Sequence, residues 1–282
     1  MPTFLHGAHR IAYTEHGAGD RTVVLLHGLL FSQKLMTPLA VHLAKRGYRV
    51  ITMDMLGHGA SDRPPEMWKY SMTAFGESVI GLLDHLDIDE AVVGGLSLGA
   101  NTALEAAAFA PDRVKALLVE MPVLDNALIG CAVAFTPLML TLTVGEPLMK
   151  LVSALTRRIP TGAGAADVML DLVRQDPRPS GALLQGLFFS RVAPPAAVRR
   201  TLTQPALVIG HRRDPIHPFT DAGMLAEEMP HARLVEAASI LEMRLSPKRL
   251  TREVAAFLAE VWATPSTRRE DASSPSRPVS VA

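Results

Sequence analysis

Cysteine is almost missing: Cys131 is the only one in 282 residues. That excludes an internal disulfide, a cysteine metal cluster and a C-x-x-C redox pair, and it fits a reducing cytoplasm. Net charge is missing too. Lys plus Arg and Asp plus Glu number 28 each, so no overall field favours a phosphate backbone or an anionic membrane surface, and nucleic acid is not an expected partner. No G-x-G-x-x-G follows the first apolar run, and there is no P-loop, no H-E-x-x-H and no carboxylate cluster at metal spacing. No cofactor and no metal are therefore expected. The opening MPTFLHGAHR lacks the basic head and apolar stretch of a secretory signal, so the mature chain is expected to begin near Met1.

One long run without charge occurs, at 126–145. Its length suits a bilayer span, but Asn126, Thr136, Pro137, Thr141 and Thr143 interrupt it and no Lys or Arg lies close to either end. Two short helices over an apolar pocket are expected instead of a membrane span. The last stretch, TPSTRREDASSPSRPVSVA, is rich in Ser, Pro and Arg with little to bury, and 263–282 is expected to be a disordered tail.

What the chain does have is a rhythm. Short, continuously apolar runs at 22–26, 49–53, 91–94, 114–120, 206–210 and 232–236 read as strands buried on both faces, as a parallel sheet between helices requires. Amphipathic segments at about 33–46, 73–86, 98–109, 220–229 and 247–262 alternate with them. This predicts an α/β class with a doubly wound, mostly parallel sheet. Residues 4–17 read as an antiparallel hairpin at its edge. Between about 122 and 203 the rhythm breaks into helical, Leu-, Met-, Ala- and Pro-rich sequence. The expected organisation is a core of 1–121 and 204–262 with an inserted helical lid at 122–203.

Gly95-Leu96-Ser97-Leu98-Gly99 follows the strand AVVG and opens the helix LGANTALEAAAF. A G-x-S-x-G at a strand-turn-helix junction is a nucleophile elbow. The glycines remove Cβ atoms where a strained turn presses on its neighbours, and the hydroxyl is presented over a helix N-terminus. The apolar lid residues Phe135, Leu138, Met139, Leu140, Phe188 and Phe189 would wall a pocket beside it. His27-Gly28-Leu29-Leu30 ends the first buried strand, and the main-chain amides of Leu29 and Leu98 are the expected oxyanion donors. His27, and His58 in the turn DMLGHGASD, read as structural histidines.

Taken together, the HG loop, the DxxGHGxSD turn, the GLSLG elbow and the strand-acid loop GHRRDPIHP resemble the α/β-hydrolase fold superfamily over about residues 5–262. The resemblance implies acyl chemistry rather than dehalogenation or epoxide hydrolysis, whose branches place a carboxylate at the elbow. It also implies Asp214 as the triad acid. The family's histidine beyond the last strand is missing: counting back seven from Pro247 lands on Ile240, and none of the ten histidines lies beyond His231.

Three readings follow. In the first, a serine hydrolase cleaves an ester-like or other acyl bond of a small apolar substrate, with His217 as a relocated base sharing one turn awkwardly with Asp214. In the second, Ser97 and the oxyanion amides polarise a carbonyl without a general base. In the third, the pocket binds a small apolar molecule and catalyses nothing.

Overall fold

The structure is a computed structural model that describes residues 1–160, 170–171 and 173–263. The expected tail from 264 onward and a part of the lid at 161–169 and 172 lie outside these residues. Eight strands form one sheet in the order β1-β2-β4-β3-β5-β6-β7-β8. β1 (Thr3–His6) and β2 (His9–His16) make the expected edge hairpin, and β2 lies antiparallel against β4 (Arg49–Met53). From there β3 (Thr22–Leu26), β5 (Ala91–Leu96), β6 (Val114–Glu120), β7 (Ala206–His211) and β8 (Ala232–Ala237) pair in parallel. The fold class read from the sequence is the one observed.

Alternation along each strand separates two cores. Val24, Leu26, Ile51, Met53, Val93, Leu117 and Val119 pack with the helices α2 (Met72–His85) and α3 (Leu98–Phe109). Val23, Leu25, Val50, Val92, Leu118, Leu207 and Ile209 point the other way. There they meet α1 (Thr37–Ala44) and the last helix among the described residues, Lys248–Ala263. That last helix buries Leu250, Val254, Phe257, Leu258 and Val261, the spacing of one apolar stripe. β8 departs from expectation. Its residues are half-buried or exposed except for Ala237, because it is the sheet's outer edge, where Arg233 and Glu236 also discourage a further strand.

Between β6 and β7 the described residues hold helices and no strand. The run at 126–145 is not two short helices: α4 spans Leu128–Thr143 with Pro137 inside it. α5 (Glu146–Thr156) and α6 (Pro177–Phe188) follow, and α7 (Phe219–Glu228) comes after β7. Both ends of the insertion are tied to α3. The buried Asn101 amide donates to Val123 O at 2.7 Å and to Val192 O at 2.6 Å, and its oxygen accepts from Val123 N at 3.1 Å. The fully buried Asp221 in α7 accepts from the amides of Leu124, Asn126 and Ala127 at 2.7, 3.0 and 3.1 Å. Three charge-assisted bonds to one carboxylate fix where α4 starts. The expected apolar wall is only half realised: Phe135, Leu138 and Met139 are half-buried, whereas Leu140, Phe188 and Phe189 face solvent.

Candidate active site

Parallel strands in register bring their carboxyl ends to one edge, and Leu26, Gly95, Val119 and Ile209 lie level across it or within a residue of doing so. Ser97 sits at this edge with φ 54° and ψ −111°. A non-glycine residue held there costs about 1–3 kcal/mol, and its surroundings must enforce it. They do so through hydrogen bonds and close backbone. Ser97 N donates to Glu120 O at 2.9 Å, and Asn101 N donates to Ser97 O at 3.0 Å. A Cβ on Gly95 or Gly99 would stand 2.5 or 2.4 Å from Leu26 O, so neither position accepts a side chain without moving β3. Ser97 stays half-buried between the buried Leu96 and Leu98.

The loop after β7 supplies the partners. Asp214 Oδ1 accepts from the amides of Ile216 and His217, each at 2.9 Å, which folds the segment into one tight turn. The turn carries the His217 ring back over the carboxylate. Nδ1 then lies 2.8 Å from Asp214 Oδ2, and Nε2 lies 2.8 Å from Ser97 Oγ. The geometry that looked awkward in sequence is accommodated by those two amide bonds. With a carboxylate at Nδ1, the neutral ring carries its proton there and turns the Nε2 lone pair toward the serine hydroxyl. Burial pushes the Asp214 carboxyl up, but the His217 ring and the two amides outweigh it and hold it below the usual carboxylate range. Asp214 stays ionised, as an orienting group must.

Three other histidines fall elsewhere. His27 is fully enclosed: Nε2 accepts from Met55 N at 3.1 Å and Nδ1 donates to Gly28 O at 2.8 Å. It ties the HG loop to the Asp54 turn, where Asp54 accepts from Gln33 N and Ala60 N at 2.7 and 2.9 Å. The His58 ring lies tilted by 57° against His27, centroids 4.8 Å apart, and donates Nδ1–H to Leu56 O at 3.0 Å. His211, also enclosed, bonds Ser239 O at 2.8 Å and lies 3.8 Å from Glu120 Oε1, itself paired with Arg244 at 3.1 Å. Ile240 is 40% exposed, on a loop after β8 that contributes a structural carbonyl to His211. Near the HG loop, Phe31 N bonds Gly28 O at 3.2 Å and Leu30 takes φ 62°, curling the chain around the half-buried Leu29. Leu98 opens α3, where first-turn amides have no partner within the helix. Two cavities, of about 480 and 390 Å³, are lined by other residues and do not include Ser97.

Sequence reasoning missed Asn101, Asp221 and the Glu120–Arg244 pair. Glu120 carried a faint signal, being a carboxylate that ends an apolar, largely buried strand.

Burial holds the pKa of His27 down and that of His58 well down. Both must be neutral in the fold, whereas the unfolded chain takes up their protons near the ordinary histidine value of about 6.5. Stability is therefore undiminished above that value and falls as pH drops below it, by up to about 1.4 kcal/mol per pH unit for each ring. Thermal melts at pH 7.5 and 5.5 should show a clearly lower Tm at the acid pH. An unchanged Tm would mean that neither ring is held neutral.

Residues 21–130 match the alpha/beta hydrolase fold family. The chain superposes on the enol-lactonase from Burkholderia xenovorans LB400 with a TM-score of 0.74 and 24% identity, covering 92% of this chain and 100% of that one. The chain has the α/β-hydrolase fold. Among curated relatives of this hydrolase-fold chain, Bifunctional epoxide hydrolase 2 of Sus scrofa is 34% identical over 111 residues, 38% of this chain and 19% of the relative. Epoxide hydrolase of Caballeronia sordidicola is 38% identical over 104 residues, 37% of this chain and 31% of the relative. These matches span about a fifth to a third of the curated relatives' length.

Proposed function

We propose that the chain is a serine hydrolase that cleaves ester or other acyl bonds of a small apolar substrate in a reducing cytoplasm. The observation that carries this reading is the unbroken path from Ser97 Oγ through His217 to Asp214, with two contacts of 2.8 Å. Ser97 Oγ attacks the carbonyl carbon while its proton passes to His217 Nε2, and the Leu29 and Leu98 amides receive the negative charge that forms on the carbonyl oxygen. Collapse of the tetrahedral adduct expels the alcohol, which takes the proton back from His217. Water then repeats the sequence on the acyl-serine, restoring the hydroxyl. Cys131 is no rival nucleophile, since burial pushes its thiol up to about 11. The apolar helix α4, whose Gly130 lies against the turn after β7, supports an apolar substrate. A path of this kind favours turnover over the base-free and binding-only readings, because neither needs an imidazole between the hydroxyl and the acid.

Treatment with a fluorophosphonate followed by peptide mapping tests the reading. The expected result is a covalent adduct on Ser97, absent from Ser97→Ala and much slower to form in His217→Ala. A folded protein that does not react, or that is labelled equally well after Ser97→Ala, would overturn it.

A further inference from the structure

The balanced charge of the whole chain conceals a groove of one sign. The larger of the two cavities, about 480 Å³, lies between α1 and the last described helix. Leu39, His42 and, just past the end of α1, Arg46 follow one another at spacings of three and four residues and so share one side of it. Lys248 and Arg252, four residues apart in the first turns of the last helix, line the other. The floor is apolar: Met243 is buried, and Leu39 and Pro247 are half-buried.

No carboxylate lines this groove. Arg46, Lys248 and Arg252 are exposed along it, and among the described residues none of the three is in an ion pair. Their bonds go to main-chain carbonyls instead, Arg46 Nη1 to His42 O at 3.1 Å and Arg252 Nε to Lys248 O at 3.3 Å. Such bonds hold a side chain without cancelling its charge. The acids nearby in sequence are engaged elsewhere: Glu242 is paired with Arg249 at 2.8 Å, and Glu253 also acts on Arg249. His42 adds a ring whose Nε2 is buried without a partner, in the field of Arg46 and Lys45. Like charges gathered along a cleft with apolar walls concentrate anions there.

We infer that this groove binds a small amphiphilic anion, its oxyanion held by Arg46, Lys248 and Arg252 and its apolar body laid on Leu39, Met243 and Pro247. The volume lies within the range of about 300–1,000 Å³ usual for small-molecule sites. A bare inorganic anion would leave the floor uncovered, and a neutral apolar molecule would leave the cations unanswered. The site is separate from the catalytic edge, because α1 and the last helix pack on one face of the sheet and α3, which Ser97 opens, packs on the other. On the hydrolase reading, the acid released from an apolar acyl ester is an anion of this chemistry, but the binding itself does not rest on that reading.

Octanoate titrated into the full chain, followed by calorimetry and by the NMR signals of the His42 ring, tests the inference. Saturable binding is expected, equally strong in Ser97→Ala, so that a failure of catalysis and a failure of the groove are told apart. Octanol, acetate and inorganic phosphate should each bind about tenfold or more weakly, since each lacks one half of the match. Burial, with the charges of Arg46 and Lys45, holds the His42 pKa below its ordinary value. A bound anion offsets those charges, so the ring should titrate at a higher pH with octanoate present. Arg46→Glu and Lys248→Glu should each weaken binding roughly fivefold or more. Both side chains are exposed, so unchanged melting curves are expected, and the comparison with octanol and the His42 shift need no variant at all. Absence of saturable binding, octanol bound as tightly as octanoate, or a His42 titration indifferent to the ligand would overturn the inference. So would affinity that survives both charge reversals or is lost in Ser97→Ala, either of which would put the anion somewhere else.

Discussion

Replacing His217 with alanine is expected to lower kcat/KM on a simple aryl ester by about 10⁴-fold or more, leaving the residual rate that oxyanion donors and binding supply alone. The ring is the one group between the Ser97 hydroxyl and the Asp214 carboxylate, 2.8 Å from each. Without it no base takes the serine proton. Ser97→Ala should cost a similar factor, and the double variant little more, because residues acting as a unit do not contribute additively. Ile240→His is the informative control. It places an imidazole at the family's usual position, but Asp214 Oδ2 is already taken by His217 and the preceding Ser239 carbonyl is committed to His211. No gain is expected in the wild type. Steady-state kinetics on the four variants decide the matter: a rate that survives His217→Ala would sink the relocated-base reading, and one that survives Ser97→Ala would require a different nucleophile.

The elbow was legible because each of its requirements is local. A buried strand, two glycines and a helix start leave one place for Ser97, and the 2.4 Å approach of a Gly99 Cβ to Leu26 O shows why the spacing allows nothing larger. Strand boundaries were legible for the same reason, since continuous apolar runs have few alternative uses. The base was not. His217 reaches Ser97 only because Asp214 Oδ1 captures the amides of residues 216 and 217, and no periodicity records how a four-residue turn aims a ring. β8 reads as a buried strand, yet whether the sheet continues beyond it is a tertiary fact. α4 fails likewise. Its composition is the same on both sides, and what decides which side is covered is Asp221, 94 to 97 residues away from the amides it holds.

Asp214→Asn isolates orientation from architecture. The asparagine carbonyl can take the place of Oδ1 and go on accepting from the Ile216 and His217 amides, so the turn should persist and Tm should change little. The change falls on the other atom. An NH₂ where Oδ2 stands 2.8 Å from His217 Nδ1 donates rather than accepts, and the neutral ring must then carry its proton on Nε2. That proton faces Ser97 Oγ, so the imidazole offers the hydroxyl a donor where catalysis needs an acceptor. In triads of this type the wrong tautomer costs about 10⁴-fold in kcat, and little change in KM is expected because Asp214 does not face the substrate. Asp214→Ala should lose comparable activity and also melt at a lower temperature, since the two amides lose their acceptor. Measuring kcat, KM and Tm for both variants separates the roles. If Asp214→Asn turned over at close to the wild-type rate, the carboxylate would not be what sets the ring's tautomer, and the proton path from Ser97 would have to end at His217.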